Sequence, residues 1–168
     1  MNLDEIGARL SKELGASVTR QEDVGDPSLC VPSTHWKQAC LLCRDLEALD
    51  FRFLRSLCGV DRPEAGSLEL VAHLWSYRLR HALVLRTQAP RDAAELPSLS
   101  AVWPAANWHE REAAELLGFR FLHHPDPRHL ILPEGWEGHP LRKDYRQGKT
   151  ALGIPTARPG YEPEGAAS

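Results

Sequence analysis

Between residues 109 and 144 the chain crowds histidines, carboxylates and arginines closely enough that metal binding or acid–base catalysis must be weighed first. His109-Glu110-Arg111-Glu112-Ala113 opens like the helical zinc-protease motif, in which two imidazoles one turn apart grip the ion. Ala113 stands where the second imidazole is needed, so only half of that ligand set is present. His123 and His124 are neighbours, and on an extended strand their rings would leave opposite faces. His129 and His139 lie among prolines and glycines, in positions that suit turns. A metal-dependent enzyme using His109, His123, His124 or His129 would need convergence over long range, because metal sites demand specific ligand geometry. It stays as an alternative that stoichiometric zinc or iron in the purified protein would favour.

The cysteines raise the same question. Cys40 and Cys43 have CxxC spacing, but a second such pair, which a zinc or iron–sulfur site would ordinarily require, is absent. Trp36, Ala39, Cys40, Cys43, Leu46 and Leu49 recur at helical spacing, so both thiols are expected on the buried face of one helix. Phosphate-cradling GxGxxG or GxxxxGK[ST] sequences do not occur, nor does a GxSxG nucleophile elbow. Arg78, Arg80 and Arg86 lack the interleaved aromatics that stack bases, and the net charge of −3 gives no nucleic-acid footprint.

The elements that would position these groups read as one α+β domain. At 168 residues, 42% hydrophobic and 26% charged, the chain can build one core but not two ordinary ones. Leu3, Ile6, Leu10 and Leu14 mark a first helix, with Asn2 and Glu5 as a capping box and Gly15 as its stop. Two short extended pieces, ASVTR and SLCVP, flank a turn at Gly25-Asp26-Pro27. A second helix is predicted over 33–49, capped by Ser33 or Thr34, and FRFLRSLCGVD is an extended stretch running into a turn. Alternation over Leu68–Tyr77 and the run His81–Thr87, joined around Leu79-Arg80, predict a hairpin with both faces partly covered. A loop then leads to a third helical region, SAVWPAA followed by WHEREAAELL, capped by Asn107 and ended by Gly118. Arg111 and Glu115 are spaced for an i,i+4 pair, while Glu110 and Glu112 project about 200° apart. Two further extended segments, FRFL and HLIL, are separated by Pro125-Asp126-Pro127. The expected organisation is a two-layer domain over 1–124 with a mixed or antiparallel sheet and helices on it. An extended Pro/Gly-rich arm follows over 125–145, then a flexible tail over 146–168.

The arm ends in PEGWEGHPLRKDY, Pro133 to Tyr145. Its prolines and glycines bar regular helix or central strand, and Trp136, Tyr145 and Arg142 are residue types that anchor interfaces. Docking on a neighbour and folding back to cap its own domain are the two uses such an arm could have.

From Asn107 to Tyr145 the sequence resembles the C subunit of NADH-quinone oxidoreductase, the respiratory complex I family. The residues that carry the likeness are Glu110-Arg111-Glu112 with Glu115-Leu116-Leu117-Gly118, the Pro-Asp turn, and the Pro133–Tyr145 string, where Gly135 replaces an acid. Upstream, LRSLCGVD is similar to a family segment ending in Gly-Val-Asp. The resemblance implies a non-catalytic structural subunit of the peripheral arm, docked on the D subunit, with the B subunit nearby. FMN, iron–sulfur clusters, NADH and quinone would all be held by other subunits. It implies partner contacts at Glu110, Arg111, Glu112, Arg128, Trp136, His139, Arg142, Lys143, Asp144 and Tyr145. It also implies a place at the cytoplasmic face of a bacterial inner membrane, without insertion, in keeping with apolar runs far short of a span. The acidic start MNLDEIGARL reads as neither secretion signal nor transit peptide. An equivalent scaffold in a membrane-bound hydrogenase or ferredoxin-fed complex is the related alternative.

Overall fold

The computed structural model describes residues 1–22 and 26–146, together with the backbone of two short paired strands at Thr150–Ala151 and Ile154–Pro155. The expected turn residue Gly25 and nearly all of the expected tail over 146–168 lie outside the described residues. The first helix, α1 (Leu3–Leu14), starts at Asn2, whose Oδ1 accepts from Glu5 N–H at 2.8 Å while Glu5 accepts from Asn2 N–H at 2.9 Å. It stops at left-handed Gly15. Strands β1 (Thr19–Gln21) and β2 (Ser28–Cys30) follow, then one 3-10 turn at Ser33–His35 and helix α2 (Trp36–Asp45).

Helix α2 is shorter than predicted and neither Ser33 nor Thr34 caps it; Thr34 Oγ1 bonds His35 Nδ1 instead. Its end is decided by packing rather than propensity. Leu49 and Phe51 are both fully buried, so the chain must turn at residues 46–50 to bring them inward, with Asp50 at φ 50°. The stretch FRFLRSLCGVD, expected to be extended, is the strand β3 (Phe53–Arg62), paired antiparallel with β4 (Ser67–Ser76). Strand β4 pairs antiparallel with β5 (His81–Pro90) across the expected hairpin. The main sheet runs β1-β2-β5-β4-β3, mixed because β2 and β5 are parallel.

One face of this sheet, with Leu54, Leu57, Leu68, Leu70, Ala72, Leu74, Leu83 and Leu85, packs on α1 and α2 and forms the core with Ile6, Leu10 and Trp36. Cys40 and Cys43 are fully buried free thiols in that core, and burial pushes both thiols up, away from the reactive thiolate form. On the opposite face Phe53, Trp75 and Tyr77 cluster, with Tyr77 68% exposed.

A second, two-stranded parallel pair, β6 (Glu95–Pro97) and β7 (Arg120–Leu122), brackets helix α3 (Ala106–Leu117). SAVWPAA forms turns rather than helix up to Ala105, and Asn107 lies inside α3 instead of capping it. Trp103, 3% exposed and bonded through Nε1 to Phe51 O at 3.1 Å, holds those turns to the core, so the helix can start only after Pro104. Helix α3 crosses β3 at Gly59, where any Cβ would fall 2.4 Å from Leu117 Cδ1. Residues 125–146 contain no helix or strand; HLIL, expected to be extended, is not a strand.

Candidate functional site

Helix α3 distributes its charged residues over three directions, and each has a different target. Glu110 points into the body and is fully buried. Its Oε1 accepts from Leu99 N–H at 2.5 Å, its Oε2 accepts from Ser98 Oγ at 2.6 Å, and His124 Nε2 lies 3.6 Å away. Burial raises the carboxyl above its ordinary value, while the Ser98 hydroxyl, the Leu99 amide and His124 oppose the rise. His124 has its Nδ1 accepting from Asp126 N–H at 3.0 Å, which leaves Nε2 as the N–H facing Asn107 O at 3.2 Å. His123 points away and is exposed, because the chain leaves β7 there at φ 62°, not because strand alternation continues.

Arg111 and Glu115 do not pair with each other. Both reach the loop that follows the Pro125-Asp126-Pro127 turn. Arg111 donates to the carbonyls of Arg128 and His129, each at 2.8 Å, and its guanidinium lies 5.2 Å from the Trp108 ring centre. Glu115, 5% exposed, accepts from the backbone amides of Leu130, Ile131 and Leu132 at 2.9, 2.8 and 3.2 Å. One carboxylate thus takes three donors that a neighbouring strand would otherwise have had to satisfy. That is why HLIL forms no ladder. Glu112 is exposed on the far side of the helix, lining a small furrow with Cys58, His109, Leu116 and Leu141.

The arm folds onto its own body. Leu141 N–H donates to Leu116 O at 3.0 Å, and His139 Nδ1 donates to Glu115 O at 2.9 Å. Arg142, expected to reach a partner, donates instead to Leu117 O at 2.8 Å and Arg91 O at 3.1 Å. Through the first of these its guanidinium satisfies a carbonyl left open at the C-terminus of α3, where a cation is favoured. Gly118, at φ 83°, is required beside it: a Cβ there would lie 2.6 Å from His139 Nε2 and 2.7 Å from Arg142 Nη2. Asp144 pairs with Arg91 at 2.5 Å, and Arg91 simultaneously forks onto Asp61 at 2.7 and 2.9 Å. Asp61, whose side chain is fully buried, also accepts from Lys143 N–H at 2.8 Å. Its hydrogen bond with Arg91 is the main cause that holds it down at about 2. Arg128 stays 81% exposed beside Asp126, the Lys143 side chain is exposed, and Tyr145 packs over Gly138 with its hydroxyl 3.4 Å from Glu137 O.

Of the residues expected to meet a partner, Glu110, Arg111, His139 and Arg142 are therefore committed within the chain. Glu112, Arg128 and Lys143 of that set face outward, and so do three large apolar side chains that were not part of it, Trp108, Ile131 and Leu141, 59%, 59% and 57% exposed. Among the described residues no group of three or more His, Cys, Asp or Glu is arranged to hold a metal ion, so His109, His123, His124 and His129 do not converge. Of the residues with roles here that were not named as candidates, Arg91 and Ser98 are marked by no motif in the sequence. Asp61 alone has a signal, as the last residue of the LRSLCGVD segment.

The fold is shared with chains of known structure. A chain of the membrane-bound sulfane sulfur reductase, an archaeal respiratory membrane complex, superposes with a TM-score of 0.67 at 22% identity over 85% of each chain. The trypsin-resistant fragment (1–134) of Nqo5 superposes at 0.60 and 24% identity, covering 75% of this chain and 99% of that one. Residues 29–151 match the family described as the 30 Kd subunit of respiratory-chain NADH dehydrogenase, and the chain belongs to that family. Among its relatives, the NADH-quinone oxidoreductase C subunit of Chlorobium phaeobacteroides is 42% identical over 120 residues, covering 71% of this chain and 72% of the relative.

Proposed function

We propose that this chain is a non-catalytic structural subunit in the peripheral arm of a proton-translocating NADH:quinone oxidoreductase. It docks on the D subunit, with the B subunit nearby, and supports electron transfer from NADH to quinone by holding that assembly together. In this reading FMN, iron–sulfur clusters, NADH and quinone belong to other subunits, and the complex places the chain at the cytoplasmic face of a bacterial inner membrane. The observation that carries the reading is the family match over residues 29–151, which takes in α3 and the whole arm. The geometry adds a surface: an arm fixed to its own helix before any partner arrives pays little further ordering entropy on docking, and Trp108, Ile131 and Leu141 stand outward around it. Among the described residues no helix is long and apolar enough to cross a membrane, so attachment through other subunits fits what is seen.

The test is assembly. Ile131→Glu and Leu141→Glu alter side chains already in water, so the purified chain should melt like wild type. Co-expressed against a differently tagged wild-type chain, each should be under-represented in the purified complex by about tenfold or more, since a buried unpaired charge costs several kcal/mol. Equal incorporation of both variants would show that this face does not dock.

A further inference from the structure

The face of the main sheet turned away from α1 and α2 ends in three aromatic rings that touch one another. Phe53 pairs across the strands with Trp75, and the Tyr77 ring centre lies 5.4 Å from that of Phe53 and 6.4 Å from that of Trp75. Phe53 is 43% exposed, Tyr77 more so, and Leu79 in the following turn is exposed as well. None of the four belongs to the core. Single apolar side chains in water are ordinary, whereas a contiguous patch of rings marks a surface that another molecule covers.

The charges beside the patch say what chemistry suits it. On the side of the 46–50 turn, Asp45 pairs with Arg44 at 2.7 Å, and Asp50 takes both Arg52 at 2.7 Å and Arg78 at 3.0 Å. Glu47 is a third carboxylate there, so acids and arginines balance. Two arginines are left over. Arg55 falls at the register shift of β3 between Leu54 and Ser56, and Arg80 lies in the turn after Tyr77. Both are exposed, and neither makes an ion pair among the described residues. The patch is therefore apolar at its centre and cationic at its edge. A second copy of the chain would set like charge against like. Nucleic acid calls for a row of cations, and this chain carries −3 overall. An anionic membrane would also draw up to Asp45 and Glu47, whereas a folded partner can set its carboxylates opposite the two arginines alone.

We propose that this end of the sheet is a second interface, taking an acidic segment of another subunit whose apolar side chains cover the rings and whose carboxylates meet Arg55 and Arg80. The rings sit on strands and already rest on one another, so docking costs them little side-chain freedom. The patch is also remote from the arm. Trp75 and Leu68, the partner of arm-bound Asp61, are seven residues apart on β4, about 24 Å. The inference requires the assembly proposed above but not the face beside the arm as its dock, and it makes the chain a bridge between two neighbours.

The experiment places the photo-cross-linker benzoylphenylalanine at position 77 in the intact complex, where an aromatic side chain already stands in water. The expected product is an adduct with one other subunit, mapped by peptide sequencing to a segment bearing carboxylates. An adduct joining two copies of this chain, an adduct with lipid, a segment without acids, or no adduct would each overturn the inference. As a second measurement, Arg55→Glu is combined with Arg80→Asp, since aspartate tolerates the φ of 52° at that position. The free double variant should melt like wild type, and its share in the competitive assembly should fall about tenfold. Equal incorporation would mean that the two arginines meet no carboxylate. Normal incorporation of Ile131→Glu and Leu141→Glu with the cross-link formed would remove the face beside the arm and leave this one standing; the reverse pattern would remove this one alone.

Discussion

Glu110 and Glu115 sit five positions apart on one helix and are both buried, yet they ask different things of a substitution. Glu110 accepts from one amide and one hydroxyl. A glutamine can keep the Leu99 bond with its oxygen and donate to Ser98 Oγ, which can turn to accept, so Glu110→Gln should be nearly neutral. Glu110→Ala leaves both donors unmet in a dry site and should cost about 2–4 kcal/mol in a urea titration. The raised carboxyl adds a pH dependence of definite sign. A group whose folded value lies above its unfolded one stabilises in full below the unfolded value, and that contribution is lost as pH rises through the folded value. Wild type should therefore gain stability relative to Glu110→Gln on going from neutral pH down toward 4.5. A flat difference across that range would mean Glu110 titrates as it does in the unfolded chain.

At the level of elements, the loop after β7 is held by side chains of α3 rather than by a strand. Glu115→Gln replaces an acceptor oxygen with an N–H₂ that faces a backbone donor, so at least one of the amides of residues 130–132 must go unsatisfied. Hydrogen exchange there should quicken several-fold while the amides of β4 keep their protection. Uniform loosening across the chain would show that the loop is not held separately. The same loop marks where a sequence stops being informative. Asn2 with Glu5, Gly15, Gly118 and the β4–β5 hairpin are legible because each is fixed by residues a few positions apart. HLIL misleads because apolar residues signal burial without saying where backbone hydrogen bonds go, and here they go to a carboxylate 15–17 residues upstream. The early end of α2 and the late start of α3 are set by burial of Phe51 and Trp103, which no local propensity encodes. Of the candidate site, the region and several residue names are legible. The inward turn of Arg142 depends on carbonyls at Leu117 and Arg91 that only the fold brings together.

Across the whole molecule, one cluster fastens the end of the described chain to its middle: Asp61 on β3, Arg91 after β5, and Lys143 with Asp144 in the arm. Asp61 lies below its ordinary value of 3.8, so its contribution is complete above that value and is lost as pH falls through it toward about 2. Melting temperature should accordingly drop between pH 5 and 2, and Asp61→Asn should be less stable at neutral pH with a shallower acid limb. An unchanged acid limb would place the acid sensitivity elsewhere. A separate consequence follows from the parallel seam between β2 and β5. Strands β1 and β2 have no sheet neighbour among the described residues except each other until Leu85 and Arg86 are in place. As the polypeptide leaves the ribosome, these two strands must wait for more than fifty further residues before they can join the sheet. The late-arriving β3–β4–β5 meander, closed by local contacts, is then the natural nucleus, with the N-terminal strands zipping on afterwards.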